Sequence, residues 1–111
     1  MRQFWRRAAP RARVNLPARW EGVSSREKAT VTDISRNGCF VLSGGKVAAK
    51  ELISLEINLP DQPPVHFWGE VVDAATDIGF ALKFNSSSAE DAEMLGKFLE
   101  GVFQSQAKKK P

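Results

Sequence analysis

The chain has 111 residues, 42% of them hydrophobic, and carries a formal net charge of +3. That length fits one domain with enough apolar material for a core. The single cysteine, Cys39, excludes an intramolecular disulfide, and no run approaches the roughly 18 apolar residues that cross a bilayer.

The first segment is basic. Arg2, Arg6, Arg7, Arg11, Arg13 and Arg19 precede the first acidic residue, Glu21, while the rest of the chain holds more acid than base. An anionic partner should therefore approach the N-terminus, and salt should weaken its binding. Residues 1–12 contain Pro10 and no apolar period, which predicts a mobile basic arm. Arg6-Arg7 is followed by no apolar stretch, so it does not read as an export signal, and a cytoplasmic location is expected.

A domain is expected over residues 13–105. Val14, Leu16 and Ala18 alternate with polar neighbours and Trp20 follows, giving a first strand with Pro17 at an edge or bulge. Residues 21–28 read as a polar turn. Short strands are expected at 29–33 and 39–42, joined by the tight segment 33–38. Cys39 reads as a small buried residue. After Ser43-Gly44-Gly45, Ile53, Leu55, Ile57 and Leu59 alternate with Ser54, Glu56 and Asn58, a clean period of two. Strands over 65–72 and 78–84 follow, the last with Ile78, Phe80, Leu82 and Phe84 on one face. Six short strands separated by turns predict a small antiparallel barrel, with Trp5, Trp20, Trp68 and the phenylalanines supplying buried area.

The period then changes. Ser87-Ser88-Ala89-Glu90 reads as a capping box. Met94, Leu95, Phe98, Leu99, Val102 and Phe103 recur at helical spacing. That stripe should close one end of the barrel, and its outer residues leave a weak homodimer open. Residues 106–111, with Lys108, Lys109 and Lys110, read as a disordered basic tail.

Two motifs carry chemistry. Arg7-Ala8-Ala9-Pro10-Arg11 is an RxxxR sequence, extended by Arg6, and Asp33-Ile34-Ser35-Arg36-Asn37-Gly38 is a DxSxxG sequence. A guanidinium meets phosphate oxygens, or the O6/N7 edge of guanine, with two parallel hydrogen bonds, and it stacks on flat rings. Asp33 can accept from N–H groups, Ser35 can donate or accept, and Gly38 permits positive φ and close backbone approach. Each piece also has an ordinary reading. The arginines suit a solvated arm, and Asp33 or Ser35 with Asn37-Gly38 suits a hairpin turn.

In that order and spacing, flanking a predicted strand, the two motifs resemble the PilZ domain, the bacterial receptor module for cyclic di-GMP. Arg2-x-x-x-Arg6 spells the same first motif, but the later pair is preferred because the strand begins directly after Arg11. The resemblance implies a six-stranded PilZ-type barrel with a C-terminal helix. It also implies cyclic di-GMP as ligand, with Arg6, Arg7, Arg11, Asp33, Ser35 and Gly38 as binding residues and Arg36, Asn37 and Lys83 as secondary ones. In that family the residue before RxxxR bears on ligand stoichiometry, and Arg6 there favours a stacked two-molecule ligand. The output would pass to a separate, unidentified effector protein.

An enzyme is not expected. His66 is the only histidine, no nucleophile stands at recognisable spacing from a base, and no cluster suits a metal or cofactor. Two other classes remain beside the receptor: a PilZ-like interaction domain without ligand, and a nucleic-acid-binding small barrel. The acidic remainder and the lack of a basic–aromatic platform disfavour nucleic acid.

Overall fold

Inward-facing Ile53, Leu55 and Ile57 are fully buried, while the residues between them face outward. The same alternation runs through most of the chain in the computed structural model, which describes residues 10–75 and 78–108. The elements are β1 (Ala12–Glu21), β2 (Arg26–Ile34), β3 (Gly38–Leu42), β4 (Leu52–Ile57), β5 (Val65–Ala75), β6 (Gly79–Ser87) and helix α1 (Ala89–Lys108). All strand pairs are antiparallel, in the closed order β1-β2-β3-β6-β5-β4, with β4 returning to β1. The fold is thus a six-stranded antiparallel barrel with one C-terminal helix. No helix among the described residues is long and apolar enough to cross a membrane.

Trp20 anchors the core. It is buried, meets Phe80 edge-on with centroids 5.2 Å apart, and donates from Nε1 to Ser43 Oγ at 3.0 Å. That hydroxyl also accepts from Gly45 N at 3.2 Å, so one side chain satisfies two donors. Phe67 stacks on Phe84 at 4.4 Å. Cys39 is buried as expected, and that burial pushes its thiol well above its ordinary pKa, which leaves it unreactive.

Several strand limits differ from the sequence reading. The first turn is confined to the segment between β1 and β2, closed by Gly22 N donating to Ser25 O at 2.8 Å. Arg26, Glu27 and Lys28 are strand residues; their polarity reflects exposure, which is compatible with a barrel exterior. Strand β5 runs on to Ala75 and β6 to Ser87. Ile78 lies outside β6 and is 56% exposed, and Trp68, on the outer face of β5, is 41% exposed. Neither belongs to the core. Trp5 lies outside the described residues. The bulge expected near Pro17 falls between Arg13 and Leu16.

Helix α1 places Leu95 and Leu99 fully into the core, with Met94, Phe98, Val102 and Phe103 packed against it. The cap is one residue later than the capping box suggests. Ser88 Oγ accepts from Asp91 N at 3.0 Å. Asp91 then accepts from His66 N at 2.9 Å, tying the helix start to β5. The helix continues to Lys108, into the segment expected as a tail.

Strand β3 approaches β6 very closely at one point. A Cβ on Gly38 would stand 2.2 Å from the Leu82 carbonyl oxygen, a backbone atom that cannot swing aside. Gly38→Ala should therefore cost about 1–3 kcal/mol, the range for overpacking, measured by denaturant unfolding. Ser43→Ala should cost about 1–3 kcal/mol as well, because it strips the buried Trp20 indole of its acceptor. A Ser43→Ala variant with unchanged unfolding midpoint would show that solvent replaces the hydroxyl.

Candidate functional site

Strand pairing brings the two motifs together. Ala12 faces Ile34 and Arg13 faces Asp33 across β1 and β2. Arg11, one residue before β1, therefore flanks the Asp33–Gly38 segment, and its side chain is exposed. Arg6 and Arg7 lie outside the described residues.

The β2–β3 connection divides its residues between two tasks. Ser35 is fully buried. Its N–H donates to the Gly38 carbonyl at 2.8 Å, its hydroxyl accepts from Asn37 N at 3.0 Å, and it lies 3.5 Å from the same carbonyl, to which it donates. The hydroxyl is thus enclosed by the turn, and it supports the site from beneath. Asn37 O accepts from Phe84 N at 2.8 Å, which fastens the turn to β6. The side chains of Asn37 and Arg36 are exposed. Gly38 does not use positive φ. Among the described residues only Lys50 and Asp61 do. Its lack of a side chain instead serves the contact with Leu82, and the Asn-Gly pair is not a left-handed hairpin turn.

Asp33 stands apart from this network. Ile34, beside it, points into the core and is fully buried, so Asp33 points outward. It is half-buried, and among the described residues its carboxylate takes part in no hydrogen bond or ion pair. A carboxylate acting as a turn cap would be bonded to nearby backbone; here Ser35 alone fills that role. Directly opposite, Arg13 shares the outward face without pairing to Asp33. On the other flank Asp33 faces Phe40 of β3.

Lys83 is exposed on β6, opposite Gly38 on one side and Glu70 on the other. Gly38, opposite, carries no side chain that could cover Lys83. Arg36 reaches the other way, toward α1: a Cβ on Gly96 would lie 3.9 Å from its Nη2. The described part of the site is therefore Arg11, Arg13, Asp33, Phe40 and Lys83 on one outer face, supported by Ser35 and Gly38. Arg13 and Phe40 received no role from the sequence. Arg13 was detectable, since residues two apart in a strand share a face and Arg11 precedes it by two.

Another part of the barrel also carries polar groups. A cleft of about 390 Å³ between β1, the start of β2, β4 and β5 is lined in part by Arg19, Arg26, Glu21 and Glu56. Its cations and carboxylates are matched, so it offers no field for an anion, and it contains none of the motif residues. Ser54 and His66 share a hydrogen bond at its edge, a contact their spacing did not announce. The Asp91 carboxylate bonds the His66 backbone N–H and not its ring, so this is no oriented nucleophile–base–carboxylate set.

No curated protein matches the sequence. Solved structures do resemble the fold. The Bacillus subtilis inhibitor of motility MotI/DgrA superposes with a TM-score of 0.73 at 19% identity, over 95% of this chain and 53% of its own. The PilZ domain of CeSA from a cellulose-synthesizing bacterium gives 0.64 at 13%, over 88% of this chain and 99% of that domain. The Borreliella burgdorferi PlzA protein, in complex with c-di-GMP, gives 0.65 at 12%, over 83% of this chain and 40% of PlzA. The chain thus spans about half of MotI/DgrA and less of PlzA, but nearly the whole of the CeSA domain. The PilZ domain profile matches residues 5–101. The chain belongs to the PilZ domain family.

Proposed function

We propose that this chain is a receptor for cyclic di-GMP that signals to a separate partner protein. The observation that carries this reading is the Asp33 carboxylate. It is half-buried, faces outward from a rigid strand end, and bonds to nothing among the described residues. A partly desolvated acceptor without a partner suits a ligand rich in N–H donors, and guanine presents such an edge. Arg11 and Arg13 stand beside it, and Arg6 and Arg7 precede them in sequence. Arg11 and Arg13 give that face a cationic border suited to phosphate, and in this reading Arg6 and Arg7 contribute further guanidinium groups to the two phosphates. Lys83 adds a further charge across Gly38. The complex of PlzA with c-di-GMP supports the same assignment.

In this reading the basic N-terminal segment closes over the ligand. Its like charges repel until the phosphates neutralise them, and the segment then presents a new surface to the partner. Signalling thus consists of fixing residues 1–12 against the face that carries Asp33.

Calorimetry with cyclic di-GMP tests the assignment. Arg11→Ala and Asp33→Ala should each weaken binding by about 2–4 kcal/mol, as expected when one side of a desolvated charged contact is removed. Asp33→Ala should leave the melting temperature nearly unchanged, because the carboxylate has no partner among the described residues to lose. Arg2→Ala should matter far less, and binding should weaken as salt rises. Absence of any binding by the wild-type chain, or tighter binding of a short oligonucleotide, defeats the proposal.

Amide exchange provides an independent check on the closing segment. Protection over residues 1–12 should rise on adding cyclic di-GMP, while residues 53–59 in the core should barely respond. Equal protection with and without ligand would eliminate the closing step even where binding is confirmed.

A further inference from the structure

Of the described phenylalanines, Phe40 alone stays outside the core: Phe67 and Phe80 belong to it, and Phe84, Phe98 and Phe103 pack against it. Cys39 and Val41 on either side are fully buried, so Phe40 is the outward residue between two inward ones. Its partners across the sheet are Asp33 on β2 and Ala81 on β6. The ring runs along β6. A Cβ on Gly79 would stand 2.9 Å from Phe40 Cε2 and 3.0 Å from Cζ. Ala81 is only 2% exposed although it lies on the outer face. Gly79 and Ala81 thus leave a shallow bed for the ring, and the ring itself remains only partly covered.

We propose that Phe40 is the stacking platform for one guanine of the ligand, with Asp33 accepting from the N–H edge of the same base. The inference rests on the cyclic di-GMP reading and extends it from a charged border to a base-reading surface. Adjacent strands are about 5 Å apart. In the proposed pose a guanine lying on the Phe40 ring extends toward β2 and turns its N1–H and N2–H₂ groups to the Asp33 carboxylate, which can accept both. Stacking supplies contact area that any base would find, and the carboxylate supplies the preference for guanine. Adenine shows no donor at the position of guanine N1–H, so the same carboxylate would face its N1 lone pair. The ring needs little ordering, since β6 already holds it from below.

The alternative is that the ring only covers Gly79 and Ala81. A leucine would cover them as well but has no π-face. Wild type, Phe40→Leu and Phe40→Trp are therefore titrated with cyclic di-GMP and cyclic di-AMP, with thermal melts of each. Phe40→Leu should weaken cyclic di-GMP binding about tenfold or more with little change in melting temperature. Phe40→Trp should retain most of the affinity. The wild type should prefer cyclic di-GMP strongly, and Asp33→Ala should erase that preference. A proton NMR spectrum of the wild-type complex should show a guanine H8 signal moved upfield by the ring, whatever the stability of the variants. Equal affinity of wild type and Phe40→Leu, or no ring-current shift in the wild-type complex, overturns the platform alone. Failure of the wild type to bind cyclic di-GMP overturns the receptor reading and the platform together.

Discussion

The close packing of β3 on β6 is the constraint on which the rest of this molecule depends. These strands are not neighbours in sequence, and joining them is one of the two steps that close the sheet into a barrel. Their approach at Gly38 leaves no room for a side chain against the Leu82 carbonyl. The turn before it is drawn in with them, through Asn37 O and Phe84 N. Closure also sets the orientation of Ser35 and Asp33. Ser35 turns under the loop and satisfies its backbone, which frees Asp33 from that duty. A motif that reads as one string of residues is in fact two layers: Ser35 and Gly38 build, and Asp33 is left over for contact.

The layering follows from strand geometry. Side chains alternate across a strand, so the core set Ile34, Cys39, Val41 and Leu82 fixes an outward set of Asp33, Phe40 and Ala81. The bulge between Arg13 and Leu16 keeps this phase correct. Without it, Arg13 could not face Asp33 while Leu16 and Ala18 still point inward. The charged face is thus a consequence of the core pattern, and its precision derives from buried apolar residues on the reverse side. That arrangement meets the usual requirement for recognition, in which loop residues are held by a stiff scaffold.

Legibility of the sequence tracked this division. The barrel, its six strands and the closing helix were readable, because Ile53 to Leu59 alternate cleanly and Leu95 and Leu99 recur at helical spacing. Arg11 and Asp33 were readable as a pair because strand pairing needs only the motif order. Phe40 was not, since Cys39-Phe40-Val41-Leu42 is a continuous apolar run and periodicity cannot tell its faces apart. Trp68 was taken for core on residue type alone, yet large aromatics also occur on outer sheet faces. The polar start of β2 looked like loop because strand exteriors and loops share a composition. The helix cap slipped by one residue because Ser87 and Ser88 are both competent caps, and only the hydrogen bond to Asp91 separates them.

The same connections give the site a mechanical neighbour. Strand β6, to which the turn is bonded, leads through Ser88 directly into α1. Arg36, at the exposed side of the turn, lies close to Gly96 in that helix. Asp91 pins the helix start to β5 through the His66 backbone. The helix is therefore held at its first turn by the start of β5, and farther along it lies close to Arg36 of the turn that follows Asp33. On the later turns of the helix Phe98, Val102 and Phe103 are only half-covered. The turn that carries Asp33 and the helix are in this way connected by two short paths, one through β6 and one through Arg36.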